Sequence, residues 1–438
     1  MRIKTVKKIL AMMLAGAMVT GVAPDALFAN ADTEVYANSY EDEITSGDYK
    51  YIVNEDGESI SITSYTGAGS DLEIPSEIDG YKVTHILSSS FSDNSNLESV
   101  VFPDTMTYIG RESFCDCKNI RTVSIPESVE TIEWRAFSGC ESLESVKIPE
   151  NIKELGGEAF SYCTSITEID FPESITVIPY GIVEGCTSLT SINMGSAVTE
   201  FEEEAFAYCT AIESFVVPDT VEIIGEFVFD GCTSLKNLTL SEKLKGINAG
   251  MCHGCTSLTE ITIPESVVFM GGSAFSGCKS LKKIEIKANI SGIGKFAFYN
   301  CASLKSIKLP DSVKIIEKYA FQNCNSLKNI KMPKKLRRIG KNAFKNCTAL
   351  KKTVIPAKVD TIGNEVFYGC TSLKKIYIKS KKLKNRYNGG YSGLSKKAFS
   401  GIGSLDYSKL KVYVPGSKYS QYKKILRKAG LSEKARIY

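Results

Sequence analysis

The chain has 438 residues, 43% of them hydrophobic and 24% charged, with a formal net charge of +3, 14 cysteines and 2 histidines. That length could fill two or three ordinary domains, and the apolar fraction supplies a continuous core. Two distant histidines, His85 and His253, leave a Ser-His-Asp or Cys-His arrangement without partners, and no phosphate loop or dinucleotide fingerprint is present.

Residues 1–31 read as a secretory signal peptide. Arg2, Lys4, Lys7 and Lys8 precede an apolar run from Ile9 to Ala23, and Ala29-Asn30-Ala31 offers a cleavage site, with Val35-Tyr36-Ala37 as a second. The run ends at Pro24, short of the ~20 apolar residues a membrane span needs. No later segment is apolar enough to span, and no Leu-Pro-x-Thr-Gly-like sorting signal follows. The expected location is secreted, extracellular, with cell-surface association open. Residues 32–47 are polar and acidic, a flexible leader. Residues 48–71 alternate apolar and polar around Asn54-Glu55-Asp56-Gly57, a hairpin signal, and would cap the open end of the repetitive segment that begins at Leu72.

Residues 72–379 are repetitive. Cys117, Cys140, Cys163, Cys186, Cys209, Cys232, Cys255, Cys278, Cys301, Cys324, Cys347 and Cys370 recur every 23 residues without an insertion. Phe stands three before most of them (Phe114, Phe137, Phe160, Phe298), Leu or Ile three after (Leu143, Ile166, Leu304), and Pro nine after (Pro126, Pro149, Pro310). Such a period predicts a repeat solenoid whose coils bury their apolar side only by stacking. Within a coil, Leu143-x-x-Val146-x-Ile148 alternates as a strand and the stretch around Ile152 and Leu155 forms a second. Glu158 to Cys163 is one helical turn pinned by Phe160 and Cys163, and the Pro suits a strand corner. The first coil, Leu72 to Phe91, carries extra residues around Asp79-Gly80 and has Asn94 in the cysteine position. Residues 380–438 hold a Lys-rich insertion and a terminal cap: Val412-Tyr413-Val414-Pro415 reads as the last strand, and Ser417 to Ala429 as an amphipathic helix closed by Gly430.

The repeat Leu-x-x-Ile-x-Ile-Pro with Ile-Gly-x-x-Ala-Phe-x-x-Cys, and the Val-Tyr-Val-Pro terminus, resemble the BspA-type leucine-rich repeats of bacterial secreted and surface proteins. The resemblance implies short parallel strands with one helical turn per coil and a binding role, adhesion or interaction, toward host or bacterial surface proteins or glycans. Local departures are Val183 and Cys252 in the Phe position, and Gly195, Ser241 and Lys287 in the Pro position.

Cysteines in an exported chain usually suggest disulfides. Here equal phase stacks neighbouring thiols about 5 Å apart with parallel side chains, which disfavours bridges and favours buried reduced thiols; Cys115 beside Cys117 stands apart. Cys252-His253-Gly254-Cys255 resembles half a zinc or redox site, but Cys252 sits in the Phe slot and Cys255 in the ladder, both facing inward, and no second Cys-x-x-Cys exists. No metal, cofactor or catalytic residue is assigned, although abundant Glu leaves a paired-carboxylate hydrolase as the minor alternative.

Charge carries the clearest functional signal. From Asn38 to Leu235 there are 37 Asp or Glu against 8 Lys or Arg, a balance of −29; from Lys236 to Tyr438 there are 10 against 41, a balance of +31. Lys282, Lys305, Lys328, Lys351 and Lys374 share one coil position, joined by Lys283, Lys352 and Lys375 next to it and by Lys308 and Lys331 on the strand. A lysine stripe suits an anionic polymer such as sulfated glycan or teichoic acid, whereas specific nucleic-acid stacking would want more aromatics than Tyr377 and Tyr413. A head-to-tail scaffold, acidic end on basic end, is the alternative.

Overall fold

The computed structural model describes residues 42–384, 393–402 and 407–438. The stretches expected to be an export signal and most of a leader, and the centre of the Lys-rich insertion, lie outside the described residues. The described chain winds as a continuous solenoid held by three backbone ladders, one per side of the coil.

The first ladder stacks the strands with the alternating apolar pattern. Ser145–Lys147 pairs in parallel with Glu168–Phe171, so that Val146 meets Ile169 one coil on. Val146 and Ile169 point inward while Ser145 and Lys147 face solvent, which is why the sequence alternates there. The second ladder stacks two-residue strands such as Thr131–Ile132 on Glu154–Leu155.

The third ladder runs through the turn segment. Cys140 N bonds Phe137 O and Ser138 N bonds Arg135 O, which are single i→i+3 turns, while Arg135, Phe137 and Gly139 donate to Gly157, Ala159 and Ser161 of the next coil at 2.8–3.0 Å. The segment expected as one helical turn, Glu158 to Cys163, is instead a run of single turns with left-handed residues between, Glu158 and Tyr162 among them. Those positions hold Arg135 (φ 54°), Glu158 (52°), Phe296 (60°) and Tyr319 (64°) as well as glycine. Side chains tolerate this unfavourable region because inter-coil bonds on both sides fix the backbone.

Phe, Cys and Leu of each coil fill the interior. Rings at the Phe position stack along the axis, Phe298 to Phe321 at 5.2 Å and Phe321 to Phe344 at 5.3 Å between centroids. Every ladder thiol also donates to the carbonyl of the Phe position one coil back, Cys324 to Phe298 at 3.1 Å and Cys163 to Phe137 at 3.1 Å. Cysteine therefore behaves as a small apolar residue that still satisfies a buried acceptor. All fourteen cysteines are free; Cys115 alone is partly exposed, and burial together with Asp116 pushes its thiol up to about 11.

The two coils lacking Phe compensate locally. Most coils carry Ala-Phe, as in Ala274-Phe275, but one has Ile182-Val183 and another Met251-Cys252, all fully buried. A bulkier first residue returns the volume that the second gives up. We expect Cys252→Phe alone to cost about 1–3 kcal/mol by overpacking, and Met251→Ala alone about 2–5 kcal/mol by leaving a cavity. The double variant should lose less than the sum in urea unfolding; strict additivity would contradict the compensation.

At the start, the sheet reaches further back than residue 48. Ile44–Ser46 pairs antiparallel with Tyr49–Val53, which pairs with Ser59–Tyr65, and the latter joins Tyr81–Ile86 in parallel to enter the second ladder. The extra residues of the first coil form a hairpin, Glu77–Ile78 against Tyr81–Ile86, turned by Asp79 (φ 51°) and Gly80 (φ 85°). Tyr51 Oη donates to Asp79 at 2.8 Å, tying cap to coil.

At the other end, helix Tyr419–Lys428 buries Tyr422, Ile425 and Leu426. The Val412 strand is not the last: Arg436–Ile437 adds in parallel to Lys411–Tyr413, with Tyr377, Tyr413 and Tyr438 stacked at 4.7 and 5.2 Å. Covering that edge leaves fewer open ladder groups.

Candidate functional site

All ten lysines of the stripe are exposed, and stacking brings them together. Lys308 registers against Lys331 and Lys352 against Lys375, while Lys328 N bonds Lys305 O and Lys374 N bonds Lys351 O. Lys282 and Lys283 begin the stripe, and Lys283 lies 4.0 Å from Glu260. Among the described residues the other nine form no ion pair. The terminal strands extend the column: Lys375 registers on Lys411, and Lys411 on Arg436. Lys352, Lys375, Lys411 and Arg436 thus occupy four successive rungs. Lys411 is readable from the Val412 strand; Arg436 is not, because two residues show no alternation. Each adjacent pair of like charges, about 5 Å apart, repels by about 0.8 kcal/mol even in water.

Cations beside the acidic coils behave differently. Lys118 and Lys153 in the acidic half, and Lys236 and Lys245 just past its end, each pair with a Glu at the same position of an adjacent coil, Glu141, Glu130, Glu213 and Glu222, at 2.6–3.7 Å. Coil register can thus supply a cation with its partner, although Lys308 beside Glu285 and Arg337 beside Asp360 form no ion pair among the described residues. In the basic half such a partner is usually not encoded.

The turn side repeats the contrast. In the acidic half Tyr162, Tyr180 and Tyr208 donate to Glu184, Glu204 and Asp230 at 2.8–3.0 Å, and Trp134 stacks on Tyr180. In the basic half the same side carries Phe296 stacked on Tyr319 at 4.6 Å, with Lys295, Lys341 and Lys345 over the rings of Phe296, Tyr319 and Tyr368.

Within the acidic cluster, burial, and then the charges of Glu204 and Glu226, push the Glu203 carboxyl up to about 7. A folded-state value above the unfolded one makes this group's contribution to stability complete below about 4.3 and lost as pH rises through 7. We expect Glu203→Gln to gain on the order of 1 kcal/mol over the parent at pH 8, after discounting for a half-exposed group, and almost nothing at pH 3.5, below the unfolded value. Thermal denaturation at the two pH values reads this, and an equal difference at both would refute it.

Cys252 and Cys255 are fully buried in the Phe and Cys positions, while His253 points outward to Asp230 at 2.6 Å. The three do not converge, and no group of three metal-ligating side chains occurs among the described residues. His85 lies against Thr84 and Tyr108 in the cap region. On the strand side, the first ladder breaks between Ser191–Met194 and Ser214–Val216, beside Gly195 in the Pro position. A groove of about 420 Å³ opens there, lined by Ile192, Met194, Phe215 and Val216, the last 71% exposed. The repeat pattern marks Gly195 as a weak corner but does not reveal the groove.

Comparison with known proteins agrees with this geometry. The sequence matches the family described as BspA type leucine-rich repeat region over residues 84–213, 199–306 and 291–411. A leucine-rich repeat protein of Bacteroides ovatus is similar at 27% identity and TM-score 0.78, covering 90% of this chain and 99% of its own. A leucine-rich cell surface protein of Faecalibacterium prausnitzii matches at 27% identity and TM-score 0.55, covering 78% and 95%. The pneumococcal vaccine antigen PcpA shares the fold at 21% identity and TM-score 0.59, covering 90% and 98%. Among curated proteins none matches the sequence. The repeat, its register and its family match agree, and the chain belongs to the BspA-type leucine-rich repeat family.

Proposed function

We propose that this is a secreted or surface-associated, non-enzymatic binding protein. Its coil surface is presented to protein or glycan partners, and its basic half docks on an anionic polymer, a sulfated glycan or a teichoic acid. The observation that carries the reading is the column of lysines on successive rungs, nine of the ten without an ion pair among the described residues, whereas Lys153 and Lys236 each pair with a Glu one coil back. A polyanion relieves that repulsion along its whole length. The extracellular setting is supported by the basic-apolar start of the chain and by the relative described as a cell surface protein. No helix among the described residues is long and apolar enough to cross a membrane. Retention of the protein on heparin and on cell-wall polymer, at low and high salt and with stripe lysines reversed, tests the proposal.

The balances of −29 and +31 favour a second reading, head-to-tail self-association into a scaffold. Sedimentation of the protein alone separates the two. Assembly at low ionic strength that dissolves at high ionic strength supports the scaffold, and a monomer at both removes it.

A further inference from the structure

A second basic site lies away from the stripe, on the loop that joins the first strand of each coil to the second. Lys314, Lys335, Arg337 and Lys358, from three successive coils, line one cavity of about 310 Å³. That is at the lower end of the size of small-ligand sites. Arg337 N bonds Lys314 O at 2.7 Å, which stacks these two side chains on adjacent rungs.

Coil register shows that this convergence is local. The position of Lys335 and Lys358 holds Ser128, Asn151, Thr220, Ser266 and Ser312 in other coils, and a lysine in one, Lys243. The position of Lys314 and Arg337 holds Lys153 and Lys245 elsewhere, but there each cation pairs with the carboxylate one coil back, Glu130 at 2.6 Å and Glu222 at 3.7 Å. Before Lys314 the equivalent residue is Ser291, and before Arg337 it is Lys314 itself. Of the nearby acids, Asp311 pairs with Lys334 at 2.9 Å; Asp360, one rung on from Arg337, accepts from Thr361 at 2.8 Å and forms no ion pair with Arg337. None of the four cations forms an ion pair among the described residues. Duplication of a lysine-bearing coil would put the cations in one column; here two positions change over neighbouring coils, and they meet at one cavity.

We infer that Lys314, Lys335, Arg337 and Lys358 form a discrete site for a tetrahedral oxyanion, a sulfate ester or phosphodiester group of a polyanionic ligand. The guanidinium offers a two-pronged donor to such a group, and the three ammonium groups add the positive potential that attracts it and its neighbours along the polymer. The inference deepens the reading of the basic half as a polyanion dock and rests on it for the source of the anion; the stripe holds the chain of charges and this site holds one group.

The test is calorimetric titration of the full chain with inorganic pyrophosphate at fixed ionic strength, in three forms: the parent, K335S/K358S, and K305E/K328E/K351E. Serine is the residue that other coils carry at this position, so K335S/K358S keeps the coil intact, which circular dichroism verifies. One saturable site is expected in the parent, weakened about tenfold or more in K335S/K358S and changed less than about twofold in the stripe variant. Equal binding in parent and K335S/K358S, or no saturable binding, overturns the site. Competition with a sulfated disaccharide and with a glycerol phosphate oligomer names the source; displacement by either supports the site, and displacement by neither overturns it. If pyrophosphate binds as expected while polymer retention is absent, the site stands and the docking function falls.

Discussion

Phe321→Ala should lower the stability of the basic half by about 3–5 kcal/mol, the cost of removing a buried aromatic from a core that cannot close around the gap. Phe321 has no exposure and lies between two parallel rings, tilted by 12° to Phe298 and 2° to Phe344. Both neighbours are anchored by backbone ladders, so neither ring can slide into the space. The effect should also be local. In a solenoid each coil touches only the coils beside it, and stability is a sum of coil and interface terms. Two interfaces weaken at once around Phe321, and the acidic half keeps all of its own. The chain has a single tryptophan, Trp134, stacked on Tyr180 far down the acidic half. In guanidinium unfolding, far-ultraviolet dichroism should therefore move to lower denaturant while the Trp134 fluorescence transition stays closer to the parent's. Coincident shifts in both probes would show the solenoid unfolding as one unit and would sink the nearest-neighbour account.

The same stacking explains how much was legible in the sequence. A period of 23 residues says which side chains lie above one another, so the Phe and Cys columns, the inward Cys252 and the lysine stripe can be placed from the repeat alone. Contacts within a column follow from the period. Contacts between columns do not: the thiol of Cys324 reaches the carbonyl of Phe298 because of the path of the turn segment, which the period leaves open. The left-handed residues were hidden for a related reason. Arg135, Glu158, Phe296 and Tyr319 carry none of the glycine or asparagine signal of that conformation, since inter-coil bonds rather than local preference impose it. Arg436–Ile437 was too short to show alternation, and its place on the sheet is fixed by Lys411–Tyr413. The anion cavity needed residues from two columns and three coils, a diagonal that no single repeat displays.

Reversing three stripe lysines, K305E/K328E/K351E, should reduce retention on an anionic polymer about a hundredfold or more at low salt. Each lysine near a polyanionic surface contributes roughly 1 kcal/mol, and reversal replaces attraction by repulsion, so three changes exceed the ~2.7 kcal/mol that a hundredfold represents. The salt dependence should flatten as well, because fewer counterions are displaced on binding. Total charge alone could mimic this result, since the basic half carries a balance of +31. The comparison that separates the causes is K318E/K423E/K434E, the same change in charge made at exposed positions off the stripe that form no ion pair among the described residues. If affinity depends on rungs in register, the stripe variant loses retention and the scattered variant keeps most of it. If the two lose equally, the polymer reads only the sum of the charges, and the stacked lysines have no privileged role. Neither set of substitutions touches a buried side chain, so thermal melts of both variants should match the parent's within a few degrees, and the stripe variant should be marginally more stable through relief of its own repulsion.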